Sequence, residues 1–419
     1  MNIVFLIAEY TPNINGGLGR YAENISAYLI KKGQYLNVFT LNTGILPVTE
    51  FKEGLRIERP IRTWLKRLLF SKNITKWRYL NFLIKWINII LYNFDSFKMI
   101  KKLHHDYSFD LIAVHDWMSG FAGILCCLFS DIPVVFHIHN TEFTMTKWGR
   151  DKDFMKIIWV WERLLSILAD KIIVPTEEMR NLLITHKWDP HKIEIVCHGY
   201  NPVFSNEWAS SETIKDEIVI LKKNIGISEG EKVLVFAGRL AYMKGVFDLI
   251  RAVPVVIAQI PKIKLILIGD GEIPAINQEI TNLVSSLGLT NQIYIYHRFL
   301  TTKEVMLHYM MADLCIFPSK YEPFGLVALE AMSLGKPVIL GKGFSRIFAG
   351  SAQKPAVVFV ANDSPGDIAK CLLNLLHHPE DARQIGKNAK DFVYSNFDWA
   401  KTVTHTLQVY SNTIKDVSC

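Results

Sequence analysis

What is scarce in this chain narrows its class before any motif is read. Six cysteines, Cys126, Cys127, Cys197, Cys315, Cys371 and Cys419, are scattered over 419 residues. None forms a C-x-x-C pair and several lie in apolar runs. That spacing fits free thiols in a reducing compartment better than a disulfide framework. No uninterrupted apolar run reaches the roughly 20 residues needed to span a bilayer. Met1 to Ala8 has no positive n-region and no long apolar core, so it reads as a first strand and not as a signal peptide. The cytoplasm is therefore the expected location. The net charge of +7 is a modest excess, and no RNA- or DNA-binding signature accompanies it, so no nucleic-acid partner is expected.

Two further absences bear on cofactors. Gly16-Gly17-Leu18-Gly19 follows the first strand, but no glycine stands three residues after Gly19, so the dinucleotide fingerprint G-x-G-x-x-G is missing. His137 and His139 alternate onto one face at a strand end and could form a metal pair. The further His or Asp at later strand ends that a barrel hydrolase needs is not legible. Asp151-Lys152-Asp153 formally matches a metal-binding D-x-D, but it precedes a helix-periodic run, where acids favour a helix N-terminus. No metal and no cofactor is expected.

What is present is a globular composition, 50% hydrophobic and 21% charged, in a length that implies two or three domains. Short, wholly apolar runs alternate with helix-periodic segments twice along the chain: from Asn2 to about Val203, and again from Lys232 to about Tyr410. Continuous apolar strands alternating with helices predict parallel sheets covered on both faces. The fold class is α/β, with two doubly wound, Rossmann-like domains.

The stretch that organises the second half is Phe317-Pro318-Ser319-Lys320-Tyr321-Glu322-Pro323-Phe324-Gly325-Leu326, continuing to Glu330. A buried strand ends at Phe317, a Pro/Gly loop carries Glu322, and a helix begins near Leu326. The start of that helix, at Gly325 and Leu326, is a natural anion site. Two carboxylates spaced E-x7-E around it suit a ligand with a phosphate end and a hydroxyl-rich end. The plain alternative is a strand–loop–helix unit with a surface Glu at each end. Arg239 and Lys244, five apart after the strand Lys232 to Ala237, can converge on one anion or can be two solvated cations. Asp116, in His115-Asp116-Trp117 at another strand end, can orient a sugar hydroxyl or cap the helix that follows.

These motifs, in this order, resemble the retaining glycosyltransferases of the GT-B fold, group 1 / family 4, with features of the glycogen and starch synthases. The resemblance covers nearly the whole chain, residues 45–105 least. It implies two domains facing across a cleft: residues 1–204 on the acceptor side, a linker over 205–230, a nucleotide-sugar domain over 231–395, and a last segment, 396–419, that crosses back. It implies that Gly17 faces the donor diphosphate with Gly16 as turn former, and that Arg239 and Lys244 neutralise the leaving diphosphate in place of a metal. It implies further that Glu330 binds ribose, that Arg298 and Phe299 flank the base, and that Glu322 holds the donor sugar's hydroxyls or balances charge at the anomeric carbon. His139 contacts the transferred sugar, and Asp116 and Trp117 line the acceptor side. One departure stands out: after Pro337 to Leu340 the family has a Gly-Gly pair followed by an acid, where this chain has Gly341-Lys342-Gly343-Phe344.

The implied reaction is transfer of a hexose, glucose favoured, from a nucleotide-diphosphate sugar to a hydroxyl of a glycan or lipid-linked acceptor, with retention. A sugar-nucleotide 2-epimerase of the same fold and a non-catalytic nucleotide-sugar-binding protein remain alternatives. Residues 61–102 hold ten Lys/Arg against one acid, Asp95, interleaved with Trp, Phe and Leu. That is the composition of an interfacial segment: peripheral membrane contact is expected over Arg62 to Arg78, and helices packed on the sheet with a solvated basic face over Leu80 to Leu91, each reading standing as the other's alternative.

Overall fold

The computed structural model describes residues 1–14, 17–42, 46–60, 78–141, 152–200, 211–271, 274–361 and 364–418. Gly16, Asp151 and residues 61–77 lie outside them, so the expectations placed on those positions are not addressed by the structure.

The chain divides into two compact units, Met1–Gly199 with Trp399–Cys419, and Tyr200–Asp398. The first unit holds an eight-stranded sheet in the order β3-β4-β2-β1-β5-β6-β7-β8. Its strands are β1 (Asn2–Ile7), β2 (Tyr35–Phe39), β3 (Thr49–Lys52), β4 (Leu55–Glu58), β5 (Leu111–His115), β6 (Val134–His137), β7 (Lys171–Val174) and β8 (Ile193–Ile195). Only β3 runs antiparallel, against β4; this small hairpin falls in the stretch where the resemblance was weakest. The helices are α1 (Gly17–Lys31), α2 (Arg78–Tyr107), α3 (Gly120–Phe129), α4 (Lys152–Leu168) and α5 (Glu177–Thr185). Ile3 to Ile7 are fully buried, which is why β1 reads as an unbroken apolar run: helices cover both faces of a parallel sheet. Helix α1 starts at Gly17, within the glycine turn.

The second unit holds a six-stranded sheet in the order β11-β10-β9-β12-β13-β14. Its strands are β9 (Lys232–Ala237), β10 (Ile263–Gly269), β11 (Ile293–His297), β12 (Leu314–Phe317), β13 (Val338–Leu340) and β14 (Val358–Phe359), all paired in parallel. Its helices are α6 (Glu212–Asn224), α7 (Val246–Ile257), α8 (Pro274–Ser286), α9 (Thr302–Met311), α10 (Leu326–Ser333), α11 (Pro365–His377) and α12 (Pro379–Asn396). Residues 211–230 belong to this unit, and α6 packs against α9, with Lys303 paired to Glu217 at 2.8 Å. Pro254 opens the last turn of α7 and stays within the helix.

The final helix, α13 (Trp399–Ser418), returns to the first unit. Trp399 packs on Tyr21 and Tyr28 of α1, and the Thr402 hydroxyl donates to the Cys197 carbonyl at 2.8 Å. Trp399, Val403, Val409 and Tyr410 join the same buried cluster as Ile3, Phe5 and Ile25. The five described cysteines are free, and burial raises the thiol of Cys315 to about 12, so it behaves as a small apolar group.

In each sheet the direction of winding reverses once. In the first it reverses where β1 lies between β2 and β5, in the second where β9 lies between β10 and β12. Two neighbouring crossovers leave on opposite faces at such a point, so the carboxyl ends of the strands open into a crevice there.

Candidate active site

In the second unit, Arg239, Lys244 and Glu322 lie on loops at the β9/β12 reversal, whereas Arg298 and Phe299 follow the edge strand β11. Gly238 and Arg239 follow β9, a 3-10 turn spans Tyr242–Lys244, and Gly245 opens α7. The loop after β12 carries Ser319 and Glu322 and runs into α10. The two loops are joined directly: Lys244 Nζ donates to Glu322 Oε2 at 2.7 Å, and the Ser319 hydroxyl donates to the same oxygen at 3.2 Å. The two charged side chains are only 19% and 11% exposed. Arg239 is exposed on the same loop as Lys244. Lys320 ties the loop to α7 through Asp248 at 2.6 Å. Gly325 caps α10 with φ of 98°, a conformation that strains any residue with a Cβ. Leu326 then begins the helix, and Glu330 is buried at 7% exposure one turn further on.

The departure at Gly341 and Gly343 has a packing reason. A Cβ at Gly341 would stand 2.4 Å from the Ser319 carbonyl oxygen, and one at Gly343 would stand 2.3 Å from the Lys320 carbonyl carbon. The Glu322 N–H donates to the Gly343 carbonyl at 3.1 Å, and the Gly343 N–H to the Ser319 carbonyl at 3.0 Å. The missing side chains let one backbone lie on the other and hold the Glu322 loop. Sequence reading took this segment as a break in the pattern; the alternation of glycines beside a strand end was the available signal. Arg298 and Phe299 are both exposed, Phe299 at 63%, and the Arg298 guanidinium is paired with Glu304 at 3.1 Å.

In the first unit, four histidines meet at the carboxyl ends of β5, β6 and β8. His115 and His137 end adjacent parallel strands and are direct register partners, so their rings stack with centroids 4.4 Å apart. His139 and His198 follow from the next loops. Nitrogens join three of the rings into a line: His115 Nδ1 to His139 Nε2 at 3.1 Å, and His139 Nδ1 to His198 Nε2 at 3.2 Å. Tyr21 packs over His139 and His198 with centroids 4.4 and 4.5 Å away, and the Tyr410 hydroxyl meets His137 Nε2 at 2.7 Å.

Burial dictates how this cluster is protonated. Desolvation holds His139 down to about 3 and pushes His115, His137 and His198 well below their ordinary value, so all four are neutral. His115 Nε2 and His137 Nδ1 are buried without a partner. A proton on His115 Nε2 would be an orphaned donor, costing about 1–3 kcal/mol. The His115 proton therefore sits on Nδ1 and donates to His139, whose own Nδ1–H donates to His198.

Sequence reading found no partners for the H-x-H pair. The structure supplies His115 and His198, and one ring nitrogen each of His115, His137 and His139 lies within 4.8 Å of the others. The first and third of these rings stand nearly coplanar, 16° apart, with centroids 5.4 Å apart. That end-to-end arrangement suits a shared proton, whereas ligands of one cation must radiate from it. The His139 ring is fully partnered, so a sugar hydroxyl would have to displace a neighbouring imidazole or meet the backbone. Asp116 holds that backbone: its Oδ1 accepts from the His139 N–H at 2.7 Å and the Asn140 N–H at 3.3 Å. This corrects the helix-cap alternative, since Asp116 makes no side-chain cap bond to the 3-10 turn Trp117–Ser119. Trp117 packs beside Trp86, with centroids 6.0 Å apart. Gly17 is exposed at the start of α1.

Residues 15–204 match the family model described as Glycosyltransferase Family 4, and residues 218–392 the one described as Glycosyl transferases group 1. The chain belongs to the group 1 / family 4 glycosyltransferases. This glycosyltransferase is 27% identical over 416 residues to an uncharacterised glycosyltransferase of Methanocaldococcus jannaschii, covering 98% of both chains. It is 27% identical over 428 residues to a glycogen synthase of Mycobacterium tuberculosis, covering 98% of this chain and 94% of that one. Among solved structures, its fold is that of sucrose-phosphate synthase from Thermosynechococcus elongatus, with a TM-score of 0.73 and 20% identity over 99% of both chains. The catalytic domain of starch synthase IV from Arabidopsis thaliana, bound to ADP and acarbose, matches with a TM-score of 0.74 and 16% identity over 99% of both chains. The glycosyltransferase thus has the GT-B pair of Rossmann-like units.

Proposed function

We propose that this glycosyltransferase moves a hexose, glucose favoured, from a nucleotide-diphosphate sugar to a hydroxyl of a glycan or lipid-linked acceptor, with retention of configuration. The observation that carries the proposal is the Lys244–Glu322 pair at 2.7 Å on the loops of the β9/β12 reversal. There, fixed positive charge and a hydroxyl-binding carboxylate stand side by side. In the proposed reaction Lys244 and Arg239 take the charge that develops on the departing diphosphate, and the start of α10 at Gly325 and Leu326 adds its N–H groups. Glu322, released from Lys244 by the diphosphate, binds sugar hydroxyls. Glu330 receives the ribose, Arg298 and Phe299 flank the base, and Gly17 faces the diphosphate. The transferred sugar meets the His139 backbone, and the acceptor side falls to Asp116 and Trp117.

The glycogen synthase among the relatives and the starch synthase among the structural neighbours support a glucosyl donor. A neighbour solved with UDP and glucose supports a nucleotide donor. Charge neutralisation by side chains implies turnover without a metal, and the free cysteines among the described residues suit a reducing compartment, the cytoplasm. The basic, aromatic residues 61–102 favour an acceptor at a membrane surface; no helix among the described residues is long and apolar enough to cross a membrane.

The test is nucleotide release from ADP-, UDP- and GDP-sugars, with and without a glucan acceptor, and with and without EDTA. The expected result is release from one base class, stimulated by acceptor, unchanged by EDTA, and giving an α-linked product. Free 2-epimer formed without acceptor, or no turnover on any donor that binds, would overturn the proposal.

A further inference from the structure

Helices α2, α3 and α4 lie side by side over one face of the first sheet: α3 packs against both neighbours, and Trp86 of α2 meets Trp161 of α4 with centroids 5.5 Å apart. The outer face of this layer is apolar. On α4, Ile157, Val160, Leu164 and Ile167 are 51%, 51%, 40% and 55% exposed. Their 3-4-3 spacing puts them in one stripe along the helix. The opposite face already has its partners, with Ile158 and Leu165 fully buried, so α4 is apolar on a side that its fold does not use. On α2, Ile87, Ile90 and Phe94 form a second exposed stripe, and Leu128 and Phe129 extend the patch from the end of α3, where Phe97 and Phe129 touch. Contiguous exposed apolar area of this kind marks an interaction surface.

Charge says what the surface meets. The α2 stripe continues as exposed Lys98, Lys101 and Lys102, with Lys98 Nζ 4.4 Å from the Phe94 ring centroid. Lys156 and Arg163 stand immediately before two of the α4 stripe residues. Of the acids nearby, Glu162 is buried, Asp95 is half-buried, Asp131 lies past the end of α3, and Asp153 stands in the first turn of α4, before the stripe begins. If a second copy covered the stripe through a two-fold axis, Lys156 and Arg163 would face their own kind across it. An anionic surface instead matches an apolar face rimmed by cations.

We infer that the outer face of α2, α3 and α4 docks this enzyme on anionic lipid, with the α4 stripe in the headgroup layer. This gives the membrane-side part of the proposed function a defined surface. Its test involves no sugar chemistry, so it stands or falls apart from the transfer reaction.

The test is co-sedimentation of the full chain with vesicles of phosphatidylcholine alone and of phosphatidylcholine mixed with phosphatidylglycerol, at low and high salt. Sedimentation equilibrium without lipid accompanies it. The expected result is a preference for the anionic vesicles of roughly tenfold or more, lost at high salt. The double variant Val160→Glu/Leu164→Glu is expected to lose it, keeping the wild-type thermal midpoint because both positions are exposed. A charge-neutral double variant, Lys101→Gln/Lys102→Gln, is expected to weaken binding several-fold without removing it. Absence of anionic preference, or unchanged binding by the Glu variant, would overturn the inference. So would a wild-type dimer that the Glu variant splits into monomers, which would assign the face to a second copy.

Discussion

Replacing Lys244 with alanine separates the role proposed for this side chain from the one the structure shows. In the proposed reaction Lys244 stabilises charge on the leaving diphosphate. Loss of one such group typically costs about 3–4 kcal/mol of barrier, or a turnover drop on the order of 10²- to 10³-fold. As a structural partner, it neutralises Glu322 at 2.7 Å in a position where both side chains are mostly buried. Its removal strands a carboxylate that keeps only the Ser319 hydroxyl and residual solvent, a cost of about 1–3 kcal/mol. Glu322→Gln in the same chain takes away the stranded charge. The Lys244→Ala/Glu322→Gln double variant is therefore expected to regain most of the lost stability while turnover stays low. The assay is acceptor-dependent nucleotide release at saturating donor, paired with the urea midpoint of the same preparations. Two results refute the reasoning: turnover of Lys244→Ala near wild type, or recovery of turnover in step with stability in the double variant. Either would make the pair a structural tie between two loops.

Two further outcomes follow from the geometry. The buried histidines are neutral in the folded protein, whereas in the unfolded chain they titrate near 6.5, so the unfolded state binds more protons below that pH. Their contribution is complete above about 6.5 and is lost as pH falls toward the folded values, about 3 for His139, at about 1.4 kcal/mol per histidine per pH unit. Urea midpoints should fall between about pH 7.5 and 5.5, and His198→Gln should flatten the slope by one proton; an unchanged slope in that variant would count against the cluster's burial. Gly343→Ala places a Cβ 2.3 Å from the Lys320 backbone and is expected to cost about 1–3 kcal/mol, with turnover falling because Glu322 hangs from the Gly343 carbonyl. Gly366→Ala, whose Cβ would meet only the Ser364 hydroxyl at 4.0 Å, is the matched control, and equal behaviour of the two would refute the packing argument.

The sequence alone determined the class of fold and marked the second-unit loops proposed to carry the chemistry, because both depend on local signals. Doubly covered parallel strands must be continuously apolar, as Ile3 to Ile7 and Leu314 to Phe317 are, and loop residues at their carboxyl ends are marked by glycine, proline and charge. Arg239, Lys244 and Glu322 could be picked out from such marks. That Lys244 and Glu322, 78 residues apart, would hold each other was decided only when strand order set β9 beside β12. The histidine cluster shows the same limit: His115 and His137 belong to different βα units, and only parallel register makes them neighbours. Gly341 and Gly343 looked like a lapse from a pattern until the backbone they lie against was in place. Helix α4 carries two apolar stripes that periodicity cannot tell apart. Which one faces the sheet and which faces outward is settled by packing, because a sheet face can bury only one side of each helix laid on it.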